Sequence, residues 1–387
     1  MEIIKIGEAC DILNGFAFKS KNYVDSGIRI IRIANVQKGY IEDNTPAFYP
    51  LSTNGLDKYM LKSGDLLISL TGNVGRVALL DKEFLPAALN QRVACLRLKS
   101  NFIDKKYLFH ILNSDFFEQK CIRSSKGVAQ KNMSTEWLKE YEIPLYSAKE
   151  QQKIAATLDK LQSIITHRRT QLEKLDLLVK ARFVEMFGDP VLNEKGWKCK
   201  RLLDMGSCKN GMNFHYNDSG IEINCLGVGD FKDFSTINDT SLLPVVSLNE
   251  MPSEEYLLKN DDIVFVRSNG NKALVGRSVA VYPNDTPTTF SGFCIRYRLQ
   301  DTSVSVPYLL RVLKSDDMRL KMAGRGANIQ NLNQQILGTL IIPVPPIELQ
   351  NQFADFVKQV DKSRVAVQKA LDETQLLFDS LMQEYFG

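Results

Sequence analysis

The second half of this 387-residue chain repeats the first, and the repeat is uneven in an informative way. From Gly127 onward every match keeps one offset of 199 residues: Gly127 with Gly326, Asn132 with Asn331, Ile143-Pro144 with Ile342-Pro343, Gln151 with Gln350, Phe187-Gly188 with Phe386-Gly387. Upstream the offset drifts. It is 196 at the Asn-Gly pairs of 14–15 and 210–211, 197 between MLKSGDLLISLTGN (60–73) and LLKNDDIVFVRSNG (257–270), and 201 between YLFHILNSD (107–115) and YLLRVLKSD (308–316). Parts whose length varies are built with loops on a globular body; a part of fixed length is a ruler.

The fixed part carries heptads. In the first copy Ile154, Leu161, Arg168, Leu175 and Arg182 fall at a, and Leu158, Ile165, Leu172, Val179 and Met186 at d. In the second, Phe353, Val360, Val367, Thr374 and Leu381 fall at a, and Val357, Arg364, Leu371, Phe378 and Tyr385 at d. Eight of the ten seam positions are apolar in each copy, which predicts coiled-coil strands. Each helix spans about 37 residues, or about 55 Å. A stripe of that length needs a partner, and equivalent surfaces of two repeats pair about a pseudo-twofold axis, which makes the helices antiparallel. The plainer alternative is two helices, each lying on its own domain.

Proline junctions precede both helices, IPLYSAKEQQ from 143 and IPVPPIELQ from 342, and GDPVLNEKGW (188–197) reads as the connection between copies. The globular parts hold short β-branched runs bounded by turn formers. These are GIRIIRIANV, GDLLISL, RVALL and RVACLRL in the first copy, and DDIVFV, RSVAVY and GFCIRYRL in the second, with one helix in each at the YLxxxLxSD element. The expected fold is α+β: a β-rich domain over 1–145, a long helix over 146–187, a linker over 188–197, a second β-rich domain over 198–345 and a second long helix over 346–387.

Bulk properties exclude several classes. The chain is 44% apolar and 24% charged, with a net charge of +4 that permits an anionic partner without demanding one. No stretch approaches 18 consecutive apolar residues and the N-terminus lacks a signal-peptide pattern, so a cytoplasmic protein with no membrane partner is expected. The seven cysteines, Cys10, Cys95, Cys121, Cys199, Cys208, Cys225 and Cys294, form no CxxC pair and read as buried or idle thiols, with no metal site. GNKALVGRS (270–278) resembles a phosphate loop but has five residues between its glycines and Arg277 in place of the lysine; its counterpart GNVGR (72–76) is shorter. No GxGxxG precedes a helix, no HExxH occurs, PVPP (343–346) lacks the Asn of an amino-methyltransferase tetrapeptide, and His110, His167 and His215 have no nucleophile and acid beside them. Nothing points to catalysis in this chain.

The loops beside the strands are instead rich in planar hydrogen-bonding side chains. The first copy offers Arg32, Asn35, Thr71, Asn73, Arg76, Asn90, Gln91, Arg92, Gln130, Lys131 and Asn132; the second offers Arg267, Ser268, Asn269, Asn271, Lys272, Arg277, Asn328, Gln330, Asn331 and Asn333. Arg reads guanine and Asn or Gln reads adenine through paired hydrogen bonds, while Lys and Arg also hold phosphates. Any one of them could equally serve turn chemistry or plain solvation. Together they form a base-reading inventory for double-stranded DNA.

In layout the whole chain resembles the specificity subunit of type I restriction-modification systems. The resemblance is carried by GDLLISLTGNVGR with its counterpart from Asp261, NQRVACLRL, the GVAQKN segment before Ile143-Pro144, KEQQKIAATLDK at the start of the first helix, and FGDP. The second copy departs from the pattern in IELQNQF and in its expanded Gly-Asn loop. The resemblance implies that each domain is a target-recognition domain for one half of a split, asymmetric DNA sequence, and that the helices are the spacer. It further implies that the chain is non-catalytic and docks two methylation subunits bringing S-adenosylmethionine, with restriction subunits bringing ATP and Mg to the larger complex. A coiled-coil tether that binds proteins and reads no sequence is the competing expectation.

Overall fold

In a computed structural model, residues 2–99, 101–125, 132–214, 219–231, 236–323 and 331–387 are described, without the side chains of Lys272 and Ala323. The chain forms two compact units, and they do not follow the linear segments. One comprises Met1–Thr170 with Gln368–Gly387, the other Gln171–Val367. Each unit therefore takes the first part of one long helix and the last part of the other.

The first unit contains strands β1 (Glu2–Lys5), β2 (Cys10–Asn14), β3 (Ile28–Ile31), β4 (Phe48–Tyr49), β5 (Leu66–Ser69), β6 (Val77–Leu79), β7 (Ala87–Leu89), β8 (Val93–Leu98) and β9 (Glu142–Leu145). Helices α1 (Ile6–Ala9), α2 (Lys105–Leu112), α3 (Asp115–Ser124) and α4 (Thr135–Glu140) lie among them, before the long α5 (Ala148–Phe187). The second unit has β10 (Lys198–Arg201), β11 (Gly206–Asn210), β12 (Ile221–Leu226), β13 (Thr236–Ile237), β14 (Val245–Leu248), β15 (Asp262–Val266), β16 (Ser278–Val281), β17 (Thr288–Phe290), β18 (Cys294–Leu299) and β19 (Ile341–Val344). Its helices are α6 (Val306–Leu313), α7 (Asp316–Ala323) and α8 (Gln334–Gly338), followed by the long α9 (Ile347–Phe386).

The topologies match. Sheet order β2-β8-β5-β6 in the first unit reappears as β11-β18-β15-β16-β13 in the second, β4-β3-β7 as β14-β12-β17, and the pair β1-β9 as β10-β19. Alternation along a strand gives each larger sheet two apolar faces: Ile263, Phe265, Ile295 and Tyr297 pack under helices α6 to α8, while Val264, Val266, Val279 and Cys294 pack toward Leu226 and Phe290 of the smaller sheet. The predicted strand runs coincide with β3, β5, β6, β8, β15, β16 and β18. The single helix expected at YLxxxLxSD is two helices in each copy. The chain breaks after Leu112, where the Ser114 hydroxyl accepts from the Phe117 amide (3.1 Å) and so caps a new helix.

The junction glutamines explain why the helix starts repeat. Gln151 and Gln350 are both fully buried. The Gln151 carbonyl accepts from the Asp104 amide (2.7 Å) while its amide donates to the Phe102 and Tyr146 carbonyls (3.0 and 2.8 Å). Gln350 accepts from the Ser305 amide (2.8 Å) and donates to the Ser303 and Pro345 carbonyls (3.0 and 2.8 Å). The altered helix start IELQNQF thus keeps the same clamp.

Within each unit the two long-helix segments run antiparallel. In the first, Arg168 donates to the Ala370 carbonyl and the Thr374 hydroxyl, while Ile154 and Leu158 share a core with Met382, Tyr385 and Phe386. In the second, Asp176 pairs with Arg364 (2.5 Å), and Phe183 and Phe187 lie 5.4 and 5.6 Å from Phe353. The heptad slips by one residue in the last turn of α5: Phe183 and Phe187 are buried, where the seam assigned Arg182 and Met186. Those rings also pack on Tyr308 (5.7 and 4.8 Å), so the globular body captures the end of the helix. All seven cysteines are free thiols; burial pushes Cys10, Cys208 and Cys225 up to about 12. Among the described residues no helix is long and apolar enough to cross a membrane.

Candidate nucleic-acid interface

At one end of the first unit's larger sheet, backbone hydrogen bonds draw four separate segments together. Past β5, the Leu70 amide donates to the Arg92 carbonyl (3.0 Å) and the Leu70 carbonyl accepts from the Met133 amide (2.9 Å), with Thr71 bridged to Asn132. Past β2, the Phe16 amide donates to Leu89 (2.8 Å) and its carbonyl accepts from the Gln91 amide (3.0 Å). Gly15 makes this crossing feasible, because a Cβ there would lie 2.2 Å from the Asn90 carbonyl carbon.

The second unit repeats the arrangement. The Arg267 amide donates to the Phe293 carbonyl (2.8 Å), the Leu332 amide to the Arg267 carbonyl (2.8 Å), and Ser268 bridges Asn331. A Cβ on Gly211 would stand 2.1 Å from the Ser291 oxygen. The repeated Asn-Gly pairs therefore mark one close backbone approach, built twice.

Among the sequence candidates this edge gathers Asn73, Gln91, Arg92 and Asn132, all exposed, with half-buried Asn90, whose side-chain Oδ1 accepts from the Arg92 amide (3.2 Å). Thr71 is in the same place but buried. In the second unit the edge holds Arg267 and Ser268, half-buried, and exposed Asn331. Such groups present donors and acceptors at fixed points, which is what reading base edges requires.

Several candidates also make contacts within the fold. Asn35 is 3% exposed, and its amide donates to the Glu42 carbonyl (2.9 Å) and Asp43 (2.8 Å) while its oxygen accepts from the Arg32 amide (2.9 Å). Arg32 donates to the Thr45 carbonyl, and Arg76 to the Gln37 side chain. These contacts brace the loop after β3; Asn35 is enclosed by them, while Arg32 and Arg76 stay half-buried with one guanidinium nitrogen anchored. Arg277 reaches the Phe231 carbonyl (3.4 Å) among its contacts. Asn269 and Asn271 accept from the amides of Asn271 (2.8 Å) and Ala273 (3.0 Å) in successive turns, and Asn333 caps α8 through the Ile336 amide (2.9 Å). Gln130, Lys131, Asn328, Gln330 and the Lys272 side chain lie outside the described residues.

Two ion pairs absent from the sequence reading hold the far end of the sheets. Arg97 grips Asp65 through Nε (3.0 Å) and Nη2 (2.7 Å), and Arg298 grips Asp262 through the same atoms at 2.7 Å each. The signal was present, an Asp opening the strand after a turn and an Arg late in β8 or β18, but it concerns pairing between strands rather than any local motif. Among the described residues no group of three or more His, Cys, Asp or Glu side chains is placed to hold a metal ion.

The family described as type I restriction modification DNA specificity domain matches residues 1–175 and again 194–374. The chain belongs to this family. A relative in the specificity-domain family, the StySPI specificity subunit of Salmonella potsdam, is 25% identical over 394 residues, covering 96% of this chain and 84% of the relative. The MjaVIII specificity subunit of Methanocaldococcus jannaschii is 32% identical over 182 residues, 45% of this chain and 42% of its own. Among solved structures, a type I S subunit from M. genitalium matches with a TM-score of 0.61 at 18% identity, over 100% of this chain and 96% of that one. A chain from a study of assembly and conformational transition of the type I R-M system matches at 0.58 and 17% identity, over 100% and 97%. At these identities the structural matches speak to the fold.

Proposed function

We infer that this chain is the DNA specificity subunit of a type I restriction-modification enzyme, each unit reading one half of a split, non-palindromic target. The observation that carries this is the four-segment edge, built twice on matching scaffolds with different exposed side chains. Two unlike readers imply two unlike half-sites. The subunit recognises and leaves catalysis to its partners: methylation subunits with S-adenosylmethionine, and restriction subunits with ATP and Mg, in the cytoplasm.

Two equivalent partners suit the helices. Leu177 and Leu178 are 64% and 47% exposed, and their repeat equivalents Leu376 and Leu377 are 69% and 50% exposed, so the same apolar pair is offered once per helix. Two copies of one methylation subunit are the matching occupants.

Methylome sequencing of the host with and without this chain tests the reading: a bipartite motif should vanish with the gene. A chain that merely tethers proteins would leave the methylome unchanged and would shift all DNA sequences equally in a gel. Adding or removing one or two helical turns within 154–187 should change the gap between half-sites and neither half-site; altered half-sites would overturn the spacer role.

A further inference from the structure

The loop joining β17 to β18 is where the two edges differ most. Asn90-Gln91-Arg92 of the first unit is replaced by Ser291-Gly292-Phe293 in the second, so three hydrogen-bonding side chains give way to a hydroxyl, no side chain and a phenyl ring. The backbone of this loop is held on all sides. The Phe293 carbonyl accepts from the Arg267 and Ser268 amides (2.8 and 3.3 Å), the Gly292 carbonyl from the Arg267 guanidinium (3.2 Å), and the Cys294 amide donates to the Ser291 carbonyl (2.8 Å). A Cβ at position 292 would meet the Asn213 Oδ1 at 2.1 Å, so any side chain there would displace that of Asn213. What remains free is the ring, 58% exposed and stacked on no other ring among the described residues.

A phenyl ring fixed in water at the centre of a polar edge gains only when another surface covers it. Its neighbours Arg267, Ser268 and Asn331 are hydrogen-bonding groups suited to base edges, so the covering surface is a major groove. There the apolar feature that distinguishes one base pair from another is the thymine C5-methyl group. We propose that Phe293 reads a thymine methyl in the half-site of the second unit. This rests on the DNA-reading function above. The counterpart position in the first unit is Arg92, a hydrogen-bond donor suited to guanine or to a phosphate and not to a methyl group, so the two units differ in chemistry at the equivalent step.

The test uses the full chain assembled with its methylation subunits, on the target defined by methylome sequencing. Phe293→Ala should weaken binding about tenfold through the second half-site, the loss expected from one base-edge contact, and leave discrimination in the first half-site intact; Phe293→Leu should retain most of it. Replacing thymine by deoxyuridine, one position at a time, should reproduce the loss at a single step for the unaltered chain and add nothing for Phe293→Ala. Unchanged binding by Phe293→Ala overturns the proposal. So does a loss in Phe293→Ala that no deoxyuridine substitution reproduces, which is the pattern of a ring wedged between base pairs. If the unaltered complex binds every sequence alike, the DNA-reading function itself fails, a result distinct from either.

Discussion

Set against each other, the two units agree in their bracing and disagree at their edge. Gln151 and Gln350 make the same three hydrogen bonds, the Asp65–Arg97 and Asp262–Arg298 pairs take the same geometry, and the hydroxyls of Tyr107 and Tyr308 both donate to a proline carbonyl at 2.8 Å. The edges share their backbone pattern, their Asn-Gly pairs and the Asn132/Asn331 position, but differ beside them: Leu70 stands where the other unit has Arg267, and Arg92 where it has Phe293. Backbone hydrogen bonds ask little of the side chain, so an edge assembled from them tolerates substitution while the brace beneath it does not. Divergence has reached beyond the edge as well. Buried Cys95 corresponds to buried Arg296, and buried His110 with its half-exposed partner Asp159 corresponds to half-buried Arg311 and exposed Lys358.

The largest effect should come from the shared braces. Asp262→Ala leaves Arg298 without its carboxylate and should cost about 3 kcal/mol, and Asp65→Ala should cost a similar amount in the other unit; urea unfolding followed by hydrogen exchange assigns each loss to its unit. A large loss in one unit alone would break the equivalence. Gly15→Ala and Gly211→Ala should each cost about 1–3 kcal/mol by forcing a Cβ onto a carbonyl, and a variant with an unchanged melting temperature would show that the crossing relaxes freely.

Arg296 sharpens the contrast in the opposite direction. It is 5% exposed, its Nε has no partner among the described residues, and burial together with the nearby Arg298 depresses its pKa. Arg296→Met should therefore stabilise the second unit by about 1 kcal/mol, read as a higher urea midpoint. Destabilisation would mean the guanidinium earns its place.

The smallest effect concerns pH and the first unit alone. Burial lowers the His110 pKa below 6.5 despite the Asp159 carboxylate 2.8 Å away. The unfolded chain then binds a proton that the fold resists, so stability is complete above pH 6.5 and declines as pH falls toward the lower folded value. Asp159 titrates further down: hydrogen bonds from Lys106 and His110 outweigh its desolvation and hold it below the ordinary carboxylate value. Amide exchange at pH 5.5 and 7.5 should show the first unit loosening at the lower pH, and His110→Gln should remove the difference. An equal loss in the second unit would point to another group.

The repeat, the two long helices and seven of the strands were legible because each is a local pattern with a fixed period. The N-terminal strand of each larger sheet was not: GSCKN of β11 has little apolar character and becomes a strand because β18 pairs with it. That Asn35, Arg76 and Asn333 make hydrogen bonds within the fold was not legible, because residue type does not reveal where a side chain's hydrogen bonds go. Phe293 was passed over for the converse reason, since an inventory of hydrogen-bonding groups has no place for a ring.

The division of the long helices between units has a consequence for synthesis. Met382 and Phe386 complete the core begun by Ile6 and Ala9, so the first unit lacks part of its interior until the last turns of α9 leave the ribosome. The residues of the second unit, by contrast, are all contiguous in the chain. A nascent chain therefore closes its second core before its first, and a product cut short near the C-terminus loses stability at the opposite end of its sequence.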